Sequence, residues 1–303
     1  MARHFLALHD YTRNELDGLL LLAKDLKSKQ KQGIPHKLLE GKTVALIFEK
    51  ASTRTRVSFE VGVFQLGGHG LFMASGTSQM GRGEPIKDTA RCMARYCDGV
   101  MIRTYGQEIV EEYVLYSDVP VINGLTDLFH PCQIMADLMT VIEHKKSCDG
   151  LTVAWVGDGN NMANTWIEAA AIFGFELRLA CPKGYEPNAN VMEWARAKAP
   201  GRITLTTDPK EAVDGADVLN TDVWASMGKE AEQKQREQAF AGYCLDDSLL
   251  ALAKPDCIVM HCLPAHRGEE ISDSVIEGKN SVVWDEAENR LHIQKAIMAS
   301  LIK

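Results

Sequence analysis

Short apolar runs alternate along this chain with longer stretches whose apolar residues recur every three or four positions. Thr43–Phe48, Gly99–Arg103, Val119–Ile122, Leu151–Gly157, Glu176–Ala180, Arg202–Thr206, Asp217–Thr221, Asp256–His261 and Ser281–Trp284 read as strands. Helical spacing runs from Thr12 to about Lys31, with Leu16, Leu19, Leu20, Ala23 and Leu26 on one face. It returns after Ser52, where Val57, Val61 and Phe64 share a face, and over Ile86–Tyr96. His130-Pro131 opens another helix, with Pro in its first turn and Ile134, Leu138, Val141 and Ile142 as its apolar side. Asn164–Phe173, Asn188–Ala197 and Leu291–Ile302 complete the helical pattern. Strands alternating with helices predict an α/β protein with parallel sheets. The alternation restarts at Leu151, so two doubly wound domains are expected, each a central parallel sheet flanked by helices. The hinge falls near Lys145–Gly150. The expected domains are 1–147, with a C-terminal helix 289–303 packing back on it, and 148–288.

Length agrees with this division, because 303 residues exceed one ordinary core. A hydrophobic share of 46% excludes a disordered chain. The formal net charge of -8 argues against a duplex nucleic-acid binder, whose affinity rests on neutralising phosphates. It leaves room for a local basic pocket. No apolar run has the length of a membrane span. Met1 to His9 lacks the apolar core of a signal peptide, and no pair of the eight cysteines forms a Cys-x-x-Cys clip. A cytoplasmic protein with reduced cysteines is expected.

Candidate chemistry gathers where these strands end, the place where open α/β sheets hold ligands. Ser52-Thr53-Arg54-Thr55-Arg56 follows the first strand and opens a helix, so hydroxyls, guanidiniums and free N–H groups meet at one helix start. That combination suits a phosphate. Such a cluster is often only an N-cap with solvated arginines. Here Arg103 and His130 also stand at strand ends in the same half of the chain. A long polar loop, Gly76–Glu84, includes Gln79. In the second half, Gly157-Asp158-Gly159-Asn160-Asn161 looks like part of a dinucleotide fingerprint, but Met162 stands where the third glycine belongs. His261-Cys262 and His266 lack the second ligand pair of a zinc site, so no metal is expected.

These residues carry a resemblance that spans essentially the whole chain. Phe48-Glu49-Lys50-Ala51-Ser52-Thr53-Arg54-Thr55-Arg56 resembles the carbamoyl phosphate signature of the transcarbamoylases, and His130-Pro131-Cys132-Gln133 their second signature. Asp222-Val223-Trp224-Ala225-Ser226-Met227-Gly228 and His261-Cys262-Leu263-Pro264 resemble the two segments that separate the ornithine branch from the aspartate branch. The resemblance implies transfer of a carbamoyl group from carbamoyl phosphate to the side-chain amine of L-ornithine, giving L-citrulline and phosphate, without cofactor or metal. It implies that Ser52, Thr53, Arg54 and Thr55 hold the phosphate, with Gln79, Arg103, His130, Gln133, Cys262, Leu263 and Arg290 completing the carbamoyl phosphate site. Thr55, Arg103, His130 and Cys262 would act on the reacting group. Asn161, Asp222, Ser226 and Met227 would hold ornithine, Asp222 taking the α-ammonium. Arg56 is either a further phosphate ligand or structural. Cys132 is expected to pack, and Cys262 need not be a nucleophile. The resemblance further implies closure of the two domains around both substrates. It implies a homotrimer, or a multiple of trimers, in which the Gln79 loop reaches a neighbouring subunit's site.

Other readings remain at this point. Another acceptor, such as aspartate, putrescine or an acylated ornithine, would use the same donor. Aspartate would want extra cations in the second domain, and putrescine would leave Asn161 and Met227 without purpose. A non-catalytic phosphometabolite-binding subunit would not need the carbonyl-directed groups. A nicotinamide oxidoreductase is disfavoured by the broken glycine pattern.

Overall fold

A computed structural model describes residues 2–74, 76, 83–225 and 232–303. The chain forms two compact units, residues 1–136 with 289–303 and residues 137–288. The division falls inside two helices.

The first unit starts with α1 (Arg13–Lys31), whose N-cap Thr12 and N3 residue Glu15 form a reciprocal capping box. There follow β1 (Thr43–Phe48), α2 (Thr53–Gln65), β2 (His69–Ala74), α3 (Ile86–Tyr96), β3 (Gly99–Arg103), α4 (Gln107–Leu115), β4 (Val121–Leu125) and α5 (Pro131–Lys145). The four strands pair in parallel in the order β2-β1-β3-β4. Strand β1 is apolar because it is central: Val44, Ala45, Leu46, Ile47 and Phe48 are all buried. Strand β2 escaped the sequence reading. It is an edge strand whose apolar residues Leu71, Phe72, Met73 and Ala74 are none of them fully buried.

Helix α2 forms where the spacing places it, with a different side buried. Val57, Val61 and Phe64 do share a face, but they are 49%, 36% and 78% exposed. The buried side carries Thr55, Phe59, Gly62 and Val63. The reason is the C-terminal helix of the chain: a Cβ on Gly62 would stand 3.2 Å from Met298 and 3.3 Å from Lys295, so the two helices touch on that side.

The second unit contains β5 (Thr152–Val156), α6 (Asn161–Phe173), β6 (Glu176–Ala180), α7 (Ala189–Lys198), β7 (Ile203–Thr206), α8 (Pro209–Val213), β8 (Val218–Thr221), α9 (Gln233–Ala239), α10 (Asp247–Leu250), β9 (Ile258–His261) and α11 (Asp273–Ile276). Its five strands are parallel in the order β7-β6-β5-β8-β9. Trp155, Trp166 and Phe175 are fully buried in it. The run Ser281–Trp284 is not a strand. Ser281 makes one isolated bridge to Val259, and α12 (Val283–Leu301) starts directly after it. A single bridge leaves no room for a ladder, and helix propagation from Val283 takes over.

Both sheets reverse their strand order once, between β1 and β3 and between β5 and β8. Outside the strand ends, such a reversal opens a crevice into which neither crossover returns. Ser52 and Arg103 flank the first reversal, and Asn160 and Asp222 the second.

Candidate active site in two half-sites

In the first unit, Ser52 is the N-cap of α2, and its Oγ accepts the Thr55 N–H at 3.2 Å. The N–H groups of Thr53 and Arg54 have no acceptor among the described residues, and the Arg54 guanidinium has no partner among them either. Donors without acceptors at a helix start are what an anion completes. Arg56 is different. It bonds Glu60 at 3.1 Å and lies over the Phe72 ring at 3.6 Å.

Thr55 is fully buried, and its Oγ1 accepts from Arg290 at 2.7 Å and from Arg103 at 3.4 Å. Arg290 also donates to Gln133 Oε1 at 2.6 Å. Arg103 ends β3 and Arg290 comes from α12, so two elements converge on one hydroxyl, and Gln133 in the first turn of α5 holds Arg290. His130 is buried beside them. Burial, reinforced by the charges of Arg290 and Arg103, pushes its pKa well below the usual histidine value. It is therefore a neutral imidazole, able to donate one hydrogen bond without bringing charge. Cys132 is buried, with its thiol pushed up to about 12, and its Sγ donates to the Asn123 carbonyl: it packs.

In the second unit, Asn160 caps α6 through Oδ1, which accepts from Met162 and Ala163. Its amide donates to Asp222 Oδ2 at 2.9 Å. The sequence reading singled out Asn161 and passed over Asn160. The cap pattern was present, but nothing local shows that a cap residue's free amide meets a carboxylate on β8's far end. Asn161 is the first residue of α6 and half-buried. The other Asp222 oxygen accepts from the Cys262 thiol at 3.1 Å. Burial comes first, then the carboxylates of Asp222 and Glu286, in raising the Cys262 pKa well above its usual value. Cys262 is thus held as a thiol.

The glycine turn after β5 is also explained. A Cβ on Gly159 would stand 2.2 to 2.6 Å from the backbone of Glu186 and Pro187. That glycine admits a neighbouring loop and leaves no approach for a pyrophosphate. Asp158 is tied to Arg236 at 2.8 Å, and the same guanidinium donates to the Trp224 carbonyl at 2.6 Å. Leu263 stands at φ 59°, a left-handed conformation that costs a non-glycine residue about 1–2 kcal/mol. Asp222, His261 and Cys262 bring one donor atom each within 4.8 Å of one another. Both ring nitrogens of His261 are already engaged, however, by Leu263 N–H and by Glu270.

Gln79, Ser226 and Met227 lie outside the described residues. A cavity of about 970 Å³ in the first unit, lined by Phe5, Tyr11, Leu19, Asp98 and Val119, sits by the strand starts and contains none of the candidate residues.

Comparison with known proteins follows the same division. The family model for the carbamoyl-P binding domain of aspartate/ornithine carbamoyltransferases matches residues 3–143, and that for the Asp/Orn binding domain matches 149–301. The chain belongs to the aspartate/ornithine carbamoyltransferase family. Within this family it is 77% identical over 303 residues to an ornithine carbamoyltransferase of Geobacter sulfurreducens, covering 100% of both chains. It is 76% identical over 302 residues to that of Pelobacter propionicus, covering 100% of this chain and 99% of the relative. Among solved structures, the ornithine carbamoyltransferase of Pyrococcus furiosus superposes with a TM-score of 0.96 at 51% identity, over 99% of this chain and 97% of that one. The anabolic ornithine carbamoyltransferase of Campylobacter jejuni gives 0.93 at 42%, over 99% and 98%. No helix among the described residues is long and apolar enough to cross a membrane.

Proposed function

We propose that this chain transfers the carbamoyl group of carbamoyl phosphate to the δ-amine of L-ornithine, releasing L-citrulline and phosphate. The observation that carries the reading is the opposite polarity of the two half-sites. Thr55 stands beneath two guanidiniums in one, and Asp222 offers a buried carboxylate in the other.

Residues 1–147, with the returning helix 289–303, take carbamoyl phosphate. Ser52, Thr53, Arg54 and Thr55 hold its phosphate by hydroxyl, N–H and guanidinium donors. Arg103, Gln133 and Arg290 complete the grip on the carbamoyl group, with Gln79, Cys262 and Leu263 as further contacts. Residues 148–288 take ornithine. Asp222 pairs with the α-ammonium, while Asn161, Ser226 and Met227 receive the α-carboxylate.

The δ-amine has an ordinary pKa near ~10.4 and must lose a proton before it attacks. Nearby guanidinium charge favours that loss. The neutral amine then forms a C–N bond to the carbonyl carbon. Negative charge builds on the carbonyl oxygen, where Thr55, Arg103 and the uncharged His130 donate to it. The C–O bond to phosphate breaks, and a phosphate oxygen takes the amine's proton. The chemistry requires no cofactor and no metal.

The chain works as a homotrimer or a multiple of trimers with shared sites, in the cytoplasm, in arginine biosynthesis. The exposed stripe of Val57, Val61 and Phe64 supports an assembly, since a free apolar face on a helix calls for a cover. The eight free cysteines support a reducing compartment.

One assay tests the reaction: citrulline or its analogue formed from carbamoyl phosphate with ornithine, aspartate, putrescine and N-acetylornithine side by side. Turnover with ornithine is expected, and none with ornithine would overturn the proposal. Mixing Gln79→Ala with Arg103→Ala subunits should restore part of the activity; no recovery in verified mixed oligomers would refute shared sites.

A further inference from the structure

Behind Cys262 and Leu263 lies a buried dyad that the proposed reaction leaves unused. His261 and Glu270 are both fully inaccessible at their side chains. His261 Nδ1 stands 2.9 Å from the Leu263 N–H. A backbone N–H only donates, so Nδ1 is the acceptor nitrogen and the proton sits on Nε2. Nε2 in turn lies 2.9 Å from Glu270 Oε1. The same oxygen accepts the His266 N–H at 2.6 Å. Glu270 therefore acts as an acceptor from both sides of the segment 261–266.

The other end of His261 is fixed as well: its own N–H donates to Glu286 Oε2 at 2.9 Å. Glu286 lies on α12, and Glu270 precedes α11, so one element holds the backbone of His261 and another its imidazole. Leu263 is the residue at φ 59°. Its N–H would otherwise face a buried ring with no acceptor if the tautomer were reversed. The chain of contacts thus runs from Glu270 through the imidazole to the one left-handed residue beside Cys262.

We propose that Glu270 is a positioning residue for the acceptor side of the reaction: by fixing the Nε2–H tautomer of His261 it sets the backbone at Leu263, and with it the Cys262 thiol that bonds Asp222. The inference rests on the assignment of Cys262, Leu263 and Asp222 to the substrates. The dyad touches no substrate itself. A carboxylate behind an imidazole usually tunes basicity or a metal, but here both ring nitrogens are spent on loop geometry.

The two ends of the imidazole separate by substitution. His261→Asn keeps an acceptor near the Nδ1 position but loses the reach to Glu270. His261→Gln keeps the reach to Glu270 and loses the acceptor for Leu263. Glu270→Gln retains an acceptor oxygen and should stay within about threefold of the parent. Glu270→Leu should raise KM for ornithine about tenfold or more and lower kcat. His261→Asn should keep a lower ornithine KM than His261→Gln. Nitrogen-15 spectra of the histidine-labelled protein should show His261 protonated at Nε2 alone near neutral pH, and a mixed or reversed tautomer in Glu270→Leu. A folded Glu270→Leu with parental ornithine KM and kcat overturns the inference, as does an Nδ1–H tautomer in the parent. The spectra do not depend on the reaction. A parent without ornithine turnover but with the Nε2–H tautomer refutes the function and leaves the dyad's geometry standing. Should Glu270→Leu not fold, the two His261 variants decide.

Discussion

The two half-sites surround themselves with opposite kinds of buried group. In the first unit, Arg290 donates to Thr55 and Gln133, Lys27 to Asn289 and Lys295 to Gln65, all neutral acceptors, while Lys50 pairs with Asp127 away from them. In the second, buried polar groups meet carboxylates: Arg236 pairs with Asp158, His261 with Glu270, and Cys262 with Asp222. Two titratable groups report the resulting fields. Burial and two guanidiniums lower the His130 pKa, whereas burial and several carboxylates raise that of Cys262. Burial alone moves each toward its neutral form, so only the charged neighbours distinguish the units. In the proposed reaction the first half-site receives a dianion, which its guanidiniums suit. The second receives an ammonium, which its carboxylate suits. The fold supplies the same strand-end crevice twice, and the side chains give each its sign.

Removing a cation from the first half-site should break this contrast most strongly. Arg54→Ala deletes charge-assisted hydrogen bonds of about 1.5–3 kcal/mol each. If two are lost, calorimetry should find carbamoyl phosphate affinity reduced by about 10²- to 10⁴-fold, with circular dichroism unchanged. Parental affinity would detach the helix start from the phosphate.

Neutralising the anion of the second half-site comes next. Asp222→Asn should raise KM for ornithine by about 10²- to 10³-fold, the cost of leaving a charged partner unmatched. Its carbamoyl phosphate affinity should not move. A matching loss of both would show that the two signs are not separable.

Lys295 sharpens the contrast without touching a substrate. It is fully buried with Gln65 and His36 as partners, and burial lowers its pKa to about 8. Between pH 8 and 10.5 the unfolded chain therefore binds more protons than the folded one, and stability rises with pH across that window. Below about 8 the cost of the buried charge is fully present. Lys295→Met should abolish this rise, about 3 kcal/mol in urea unfolding. A wild-type curve flat across the window would contradict it.

The smallest effect concerns Cys262. As a thiol it should alkylate slowly with iodoacetamide at pH 8. Asp222→Asn removes one of the charges that raise its pKa, so its alkylation should quicken by up to about tenfold. An unchanged rate, followed by mass spectrometry at that cysteine, would place the cause elsewhere.

Much of this was legible in the chain. Strand β1 was read from Thr43 to Phe48 as it stands, because a central parallel strand is buried on both faces and needs continuous apolar sequence. Strand β2 was not, although residues 71–74 are apolar, because that run is short and stays partly exposed at the sheet edge. The Ser52 cap followed from the local pattern. Which side of α2 faces inward did not, because periodicity marks a stripe without saying what covers it. Val57, Val61 and Phe64 form the better apolar stripe and stay exposed, while the side bearing Thr55 and Gly62 is taken by α12.

The sequence by itself determined the alternation of strand and helix, the helix starts that carry the candidate residues, and the family. These are local: apolar period, cap chemistry and short motifs are written within a few residues of one another. Only the tertiary structure decided that Arg290 bonds Thr55 across 235 positions, that Asn160 meets the Asp222 carboxylate, and that Glu270 stands behind His261. Such pairs depend on how helices and loops register once the sheets have formed. A hydrogen bond needs its partners placed to a few tenths of an ångström, which no spacing along the chain specifies.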